Sequence, residues 1–318
     1  MTKVFDLEKD YKRIVIKDGR YEVSVLTQGA VLNSFKIDDV DVCLGYKDYK
    51  SYIDCPSHMG EVVGPFANRI KDARFTLDGV EYTLEKNNNG RNSLHSGSKS
   101  FGLENFSIAG ISDSSVTLAL ISGEKGGFPG THEVLVTYML SDGALTISYQ
   151  VASDKKCPVN ITNHAYFNLN GKGDIRSQEI MIPSDEFIAV DEYLIPTEIR
   201  KSEGTDFDFN KSTVIGERRD GKYDHAFILR DGEQVIAKGE KYQLRMLTDL
   251  PAVQFYTGAY LKNEGESLSG EIYGPHSGFA LESEFYPDFV NRPDFRGFYT
   301  REGVPFKTST TYILEDRV

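Results

Sequence analysis

Apolar and polar residues alternate at every second position through much of this 318-residue chain. In ALTISYQVAS (144–153), Leu145, Ile147, Tyr149 and Val151 share one face, and Thr146, Ser148 and Gln150 share the other. KYQLRMLT (241–248) repeats the pattern through Tyr242, Leu244 and Met246. Successive side chains of a strand point to opposite faces, so a period of two marks a strand with one buried side. Asp-Gly pairs at 18–19, 78–79, 142–143, 220–221 and 231–232 stand between such runs, where tight hairpin turns need positive φ. ARFTLDGVEYTL and HEVLVTYMLSDGALTISYQ each read as strand, turn, strand. No segment sustains a 3.6-residue period over the ~10–12 residues of a true helix; at most a short helix lies in KDYKSYID (47–54). There is no repeat, low-complexity tract or linker. The pattern predicts an all-β protein, a large antiparallel β-sandwich with few short helices, with residues 1–318 as one domain.

One stretch departs from the ordinary alternation. Read as a strand, NITNHAYFNL (160–169) puts Ile161, Asn163, Ala165, Phe167 and Leu169 on a nearly apolar face. Asn160, Thr162, His164, Tyr166 and Asn168 then form a row of hydrogen-bonding groups on the other. A concave sheet face left to solvent is a natural ligand floor. Two further strands carry the same signature. Gln254 and Tyr256 share a face in AVQFYTGAY (252–260), and Ala280, Glu282 and Glu284 share one in GFALESEFYPDF (278–289). Tyr, Asn, Gln, His and Glu suit a sugar, whose hydroxyls need paired donors and acceptors and whose C–H faces pack on aromatic rings. Loop-like stretches add Asn68 and Arg69 in GPFANRIKDARF and His95 in NSLHSG, while YDHAFIL starts a strand with Asp224 and His225.

Charge narrows the partners. With 36 Lys+Arg against 48 Asp+Glu, the net charge is 36 − 48 = −12, and the pI is near 5.1. Such a surface repels phosphate backbones, so neither nucleic acid nor an anionic membrane is expected as a partner. No apolar run approaches the ~18–20 residues of a membrane span, and MTKVFDLEKDYKRIVIK has no signal-type apolar core. Cys43, Cys55 and Cys157 are odd in number and lack C-x-x-C spacing, the usage expected of reduced thiols in a cytoplasmic protein. His58, His132, His225 and His276 show no H-x-H or H-E-x-x-H spacing and are assigned no role.

These segments together resemble the galactose mutarotase (aldose 1-epimerase) family. GPFANRI is similar to its G-R-x-A-N-R-I, NSLHSG to N-x-L-H-G-G, TNHAYFNL to T-N-H-x-Y-F-N-L, and YDHAFIL to D-H-x-F-x-L. VQFYTG resembles V-Q-x-Y-T-G, and LESEFYPDFVNRPDF resembles L-E-x-Q-x-x-P-D-x-x-N-x-P-x-F. The six motifs follow the family's order from about residue 60 to 295. The resemblance implies the galactose mutarotase-like supersandwich, an aldose substrate, and neither metal nor organic cofactor. It implies Glu282 as base and His164 as acid. It implies Asn68, Arg69, His95, Asp224 and Gln254 as substrate-binding residues. A monomer or homodimer is expected.

Mutarotation opens the sugar ring, rotates about C1–C2 and closes on the other face. Opening removes the C1 hydroxyl proton while the ring oxygen gains one, so a carboxylate and an imidazolium on opposite sides of the C1–O5 region can do both at once. Three residues depart from the family pattern: Pro65 stands for Arg, Ser96 for Gly and Glu284 for Gln. Glu284 shares a strand face with Glu282, and two close carboxylates raise at least one pKa. Two other functions fit part of the same residues. A non-catalytic sugar-binding protein would need no matched acid and base, and a glycoside hydrolase would use Glu282 and Asp224 about 5–9.5 Å apart.

Overall fold

The computed structural model describes residues 1–53, 55–124 and 126–318. Strands dominate, and every ladder between them is antiparallel. A nine-stranded sheet contains the long strands His132–Ser141, Ala144–Ser153 and Phe306–Asp316. A six-stranded sheet runs in the order Tyr166–Phe167, Phe279–Glu284, Ala252–Tyr256, Asp224–Ile228, Glu186–Val190, Pro196–Lys201. A five-stranded sheet is built from the first 41 residues.

Period two becomes burial as expected. Leu145, Ile147, Tyr149 and Val151 are all buried, and Tyr242, Leu244 and Met246 likewise. The inner faces of the large sheets meet in one core, where Phe167, Val253, Phe255, Phe279 and Leu281 pack with Tyr138, Ile147, Tyr312 and Leu314. Each such side chain removed from water contributes roughly 1.5–3 kcal/mol. Polar atoms that cross this core are paired: the Tyr312 hydroxyl donates to the Leu281 carbonyl at 2.9 Å. Because this face of Phe279–Glu284 looks into the core, Ala280, Glu282 and Glu284 must emerge on the opposite one.

Of the five Asp-Gly pairs, those at 18–19, 78–79 and 142–143 join paired strands. Asp142 and Gly143 both have positive φ (48° and 76°), the conformation a two-residue hairpin turn requires. The pairs at 220–221 and 231–232 do not close hairpins, since the strands on either side belong to different sheets. The short helix expected in 47–54 is a 3-10 turn, Tyr49–Tyr52, capped by the Asp48 side chain accepting from the Lys50 N–H at 2.9 Å. Asp54 lies outside the described residues.

The stretch 160–169 is not one strand. Thr162–Asn163 pairs with Val62–Val63, and Tyr166–Phe167 pairs with Phe279–Glu284, so the chain changes partners at His164 and Ala165. All ten residues are buried. The polar row is consequently not a floor. Asn160 is fully enclosed, and its Oδ1 accepts from the Phe285 N–H at 2.8 Å. Asn168 donates to the carbonyls of Gly173 and Ser277, each at 2.9 Å. These amides hold loop backbone in place, and only His164 and Tyr166 of the row reach the cleft described next.

Candidate active site

The outer face of the six-stranded sheet and the loops above it enclose a cleft of about 480 Å³. Strand register assembles its base. Gln254 stands directly opposite Glu282, and Asp224, Tyr256, Ala280 and Tyr166 form the neighbouring cross-strand row. Antiparallel neighbours on one face are close enough to interact, and the Gln254 amide donates to Asp224 Oδ1 at 2.5 Å. His164, at the break between two short ladders, brings Nε2 to 3.5 Å from Glu282 Oε1.

Asn68, Arg69 and His95 enter from loops. Asn68 and His95 both adopt positive φ (67° and 51°), a conformation in which Asn and His are enriched. The two loops are cross-bonded: His95 N–H donates to the Asn68 carbonyl, and Asn68 N–H donates to His95 Nδ1, both at 3.1 Å. A ring nitrogen that accepts is unprotonated, so a neutral His95 carries its proton on Nε2 and offers a donor. The Arg69 guanidinium lies 3.7 Å from Asp224, too far for a hydrogen bond and close enough for charge pairing. All seven residues implied by the family motifs line this one cleft.

The three departures have local accounts. Ser96 has φ of 65°, and its hydroxyl bridges Phe66, donating to the carbonyl at 3.0 Å and accepting from the N–H at 2.9 Å. Pro65 uses its carbonyl to accept from Asn160 N–H at 2.8 Å. Glu284 is wholly buried and takes the Asn68 side-chain amide at 3.0 Å. No cation lies within bonding distance of it among the described residues.

Electrostatics separate the acid and the base. Burial, then the nearby Glu284 and Asp224, push Glu282 well above the ordinary carboxyl range, with Arg69 opposing. Glu284 is raised to about 8, chiefly by burial. His164 is lowered to about 3 by burial and then by His58, and His95 is lowered by burial and then by His58, His164 and Arg69. These opposed shifts favour a proton on the Glu282 carboxyl over one on the His164 imidazole. His95, His164 and Glu282 present ligand atoms all within 4.8 Å of one another, so these three could also hold a metal ion.

Motif reasoning left several cleft residues without a role. His58, Asn88, Asn89, Glu192, Leu194 and Tyr260 complete the walls. They sit in loops with no periodic signal, and only the closeness of His58 to the 64–70 segment hinted at a shared site.

The family model described as aldose 1-epimerase matches residues 12–312. The galactose mutarotase of Sus scrofa is 34% identical, over 95% of this chain and 94% of that relative. The aldose 1-epimerase of Escherichia coli (strain K12) is 37% identical, over 91% of each chain. Among solved structures, an aldose epimerase homologue from C. elegans superposes with a TM-score of 0.91 at 25% identity, covering 96% of this chain and 99% of its own. A galactose 1-epimerase from Lactobacillus acidophilus NCFM shares the fold, with a TM-score of 0.89 at 23% identity over 100% of this chain and 99% of that one. A motif set spread over the whole sheet system, a cleft that gathers it and relatives matched end to end lead to one assignment: this chain belongs to the aldose 1-epimerase family.

Proposed function

We propose that this protein interconverts the α and β anomers of a free aldose, galactose or glucose, by acid/base-catalysed opening and reclosure of the ring. The observation that carries the reading is the 3.5 Å approach of His164 Nε2 to Glu282 Oε1 inside a buried cleft lined by hydrogen-bonding groups. The proton on the pair first passes from Glu282 to the imidazole. Glu282, as carboxylate, then takes the proton of the C1 hydroxyl, the C1–O5 bond breaks, and O5 takes the proton of His164. The sugar becomes an open-chain aldehyde and rotates about C1–C2. Closure runs the same transfers backwards, so protons balance and the pair returns to its starting state. Each positioned transfer is worth ~10²–10⁴-fold.

The remaining residues bind and polarise. The Nε2–H of His95 donates near the ring oxygen, Arg69 favours the charge developing on O1, and Asp224 with Gln254 takes the distal hydroxyls. A purely sugar-binding role would leave the buried acid/base pair without a purpose. A glycoside hydrolase using Glu282 and Asp224 is disfavoured by the family, and Asp224 is already engaged by Gln254 and faced by Arg69.

Polarimetry on freshly dissolved α-galactose and α-glucose tests the proposal. The wild type accelerates the rotation change, and Glu282→Gln and His164→Asn each lose at least ~100-fold. Equal rates for all three proteins would refute it.

A further inference from the structure

His58 and Glu61 form a pair at the cleft wall that the reaction above does not use. His58 Nδ1 lies 2.7 Å from Glu61 Oε1, and Glu61 is only 2% exposed. Gly102 makes the room: a Cβ there would stand 2.4 Å from the Glu61 carboxyl carbon. A carboxyl buried so deeply without a partner is costly, and His58 is its partner.

The pair is tied to the acid/base machinery on both sides. Gly60 N–H donates to the His164 carbonyl at 2.8 Å, and His164 N–H donates to the Glu61 carbonyl at 2.9 Å. The His58 ring meets the His95 ring edge-on with centroids 4.7 Å apart, and the His164 ring at 6.0 Å. Nδ1 is committed to Glu61, and Nε2, with no partner among the described residues, belongs to a ring that lines the cleft.

The groups acting on His58 are Glu61, then Glu264, which accepts from Ser57 Oγ at 2.6 Å and Cys55 Sγ at 2.8 Å. His95 and His164 face it from the opposite loops, with Arg69 beyond His95. Burial alone would lower the His58 pKa. The charge and hydrogen bond of Glu61, with Glu264, outweigh burial and raise it. With Nδ1 paired to Glu61, Nε2 is the polar atom that the His58 ring offers to the cleft.

We propose that His58, anchored by Glu61, is a further substrate-binding residue of this site: it presents Nε2 to a hydroxyl of the bound sugar and braces the His95 ring. The proposal rests on the epimerase reading. Its test compares His58→Phe, which keeps a ring against His95 but no donor, with Glu61→Gln, which keeps the shape but not the charge. Expected are a KM for the aldose raised about tenfold in His58→Phe, equivalent to ~1.4 kcal/mol, and a lowered thermal midpoint, because the buried Glu61 carboxyl loses its partner. In Glu61→Gln, which releases the His58 ring from its charged anchor, KM rises about threefold while kcat stays at the wild-type value. A pair that merely supports the fold would lower the thermal midpoint and leave KM on the wild-type value in both variants, and that result overturns the proposal. If His58→Phe does not fold, the KM of Glu61→Gln alone decides. An inactive wild type would remove the epimerase reading instead. Calorimetric binding of galactose to wild type and His58→Phe then still tests His58, equal affinities refuting it.

Discussion

Glu284 is the residue whose charge matters most for its neighbours. It stands two positions from Glu282 on the same strand face, buried, and it is the second cause, after burial, of the raised Glu282 pKa. In the proposed mechanism the pair works while it holds one proton, so activity falls at high pH when Glu282 loses that proton and at low pH when His164 gains a second. Glu284→Gln removes a negative neighbour and lowers the Glu282 pKa. The alkaline limb of the kcat/KM profile therefore moves to lower pH, while the acid limb, set by His164, stays. A profile unchanged at its alkaline end would show that Glu284 does not act on Glu282. The residue Glu284 replaces was legible in the sequence; its partner was not. Only the folded chain brings Asn68, 216 positions earlier, to its carboxylate.

At the scale of elements, one strand carries both the core and a wall of the cleft. Phe279–Glu284 buries Phe279 and Leu281 inward and aims Glu282 and Glu284 outward. Its stability is therefore coupled to pH. Glu284 is raised from 4.5 to about 8 on folding, so the folded state binds more protons than the unfolded one between those values. Stability is then greatest below pH 4.5 from this group and is lost as pH rises through about 8. Glu284→Gln raises the thermal midpoint at pH 8–9 relative to wild type and flattens its fall with pH, measured by circular dichroism. Across the core, strand Phe306–Asp316 of the nine-stranded sheet contributes Tyr312, whose hydroxyl joins the two large sheets through the Leu281 carbonyl. Tyr312→Phe leaves that buried carbonyl without this donor and costs about 1–3 kcal/mol in denaturant unfolding; an unchanged midpoint would mean the bond contributes nothing net. Alternation announced these strands plainly, because burial of one face is a local pattern. It misled at 160–169, where a two-residue period hid a change of sheet partner and every side chain is buried, polar and apolar alike.

The molecule as a whole carries a net charge of −12, and no helix among its described residues is long and apolar enough to cross a membrane. A neutral aldose gains nothing from long-range steering, so the proposed activity predicts kcat/KM for galactose unchanged between low salt and about 0.5 M, where surface fields are screened within a few ångströms. A steep salt dependence would point to a charged substrate. Fold class and the motif positions that line the cleft could be read from order and spacing, since period two and short motifs are properties of neighbours in the chain. His58, Glu61 and Gly102 escaped that reading, as did the interior role of Asn160 and Asn168. Their meaning depends on which distant loop or ring lies against them. What the sequence by itself determined was the class of fold, five candidate Asp-Gly turns of which the structure makes three into hairpins, and the motif residues that line the cleft. Tertiary structure decided that His164 and Glu282 meet, which tautomer His95 holds, and where the shared proton rests. Those outcomes follow from register and burial, and a pKa is set by the low-dielectric surroundings that packing creates rather than by residue type.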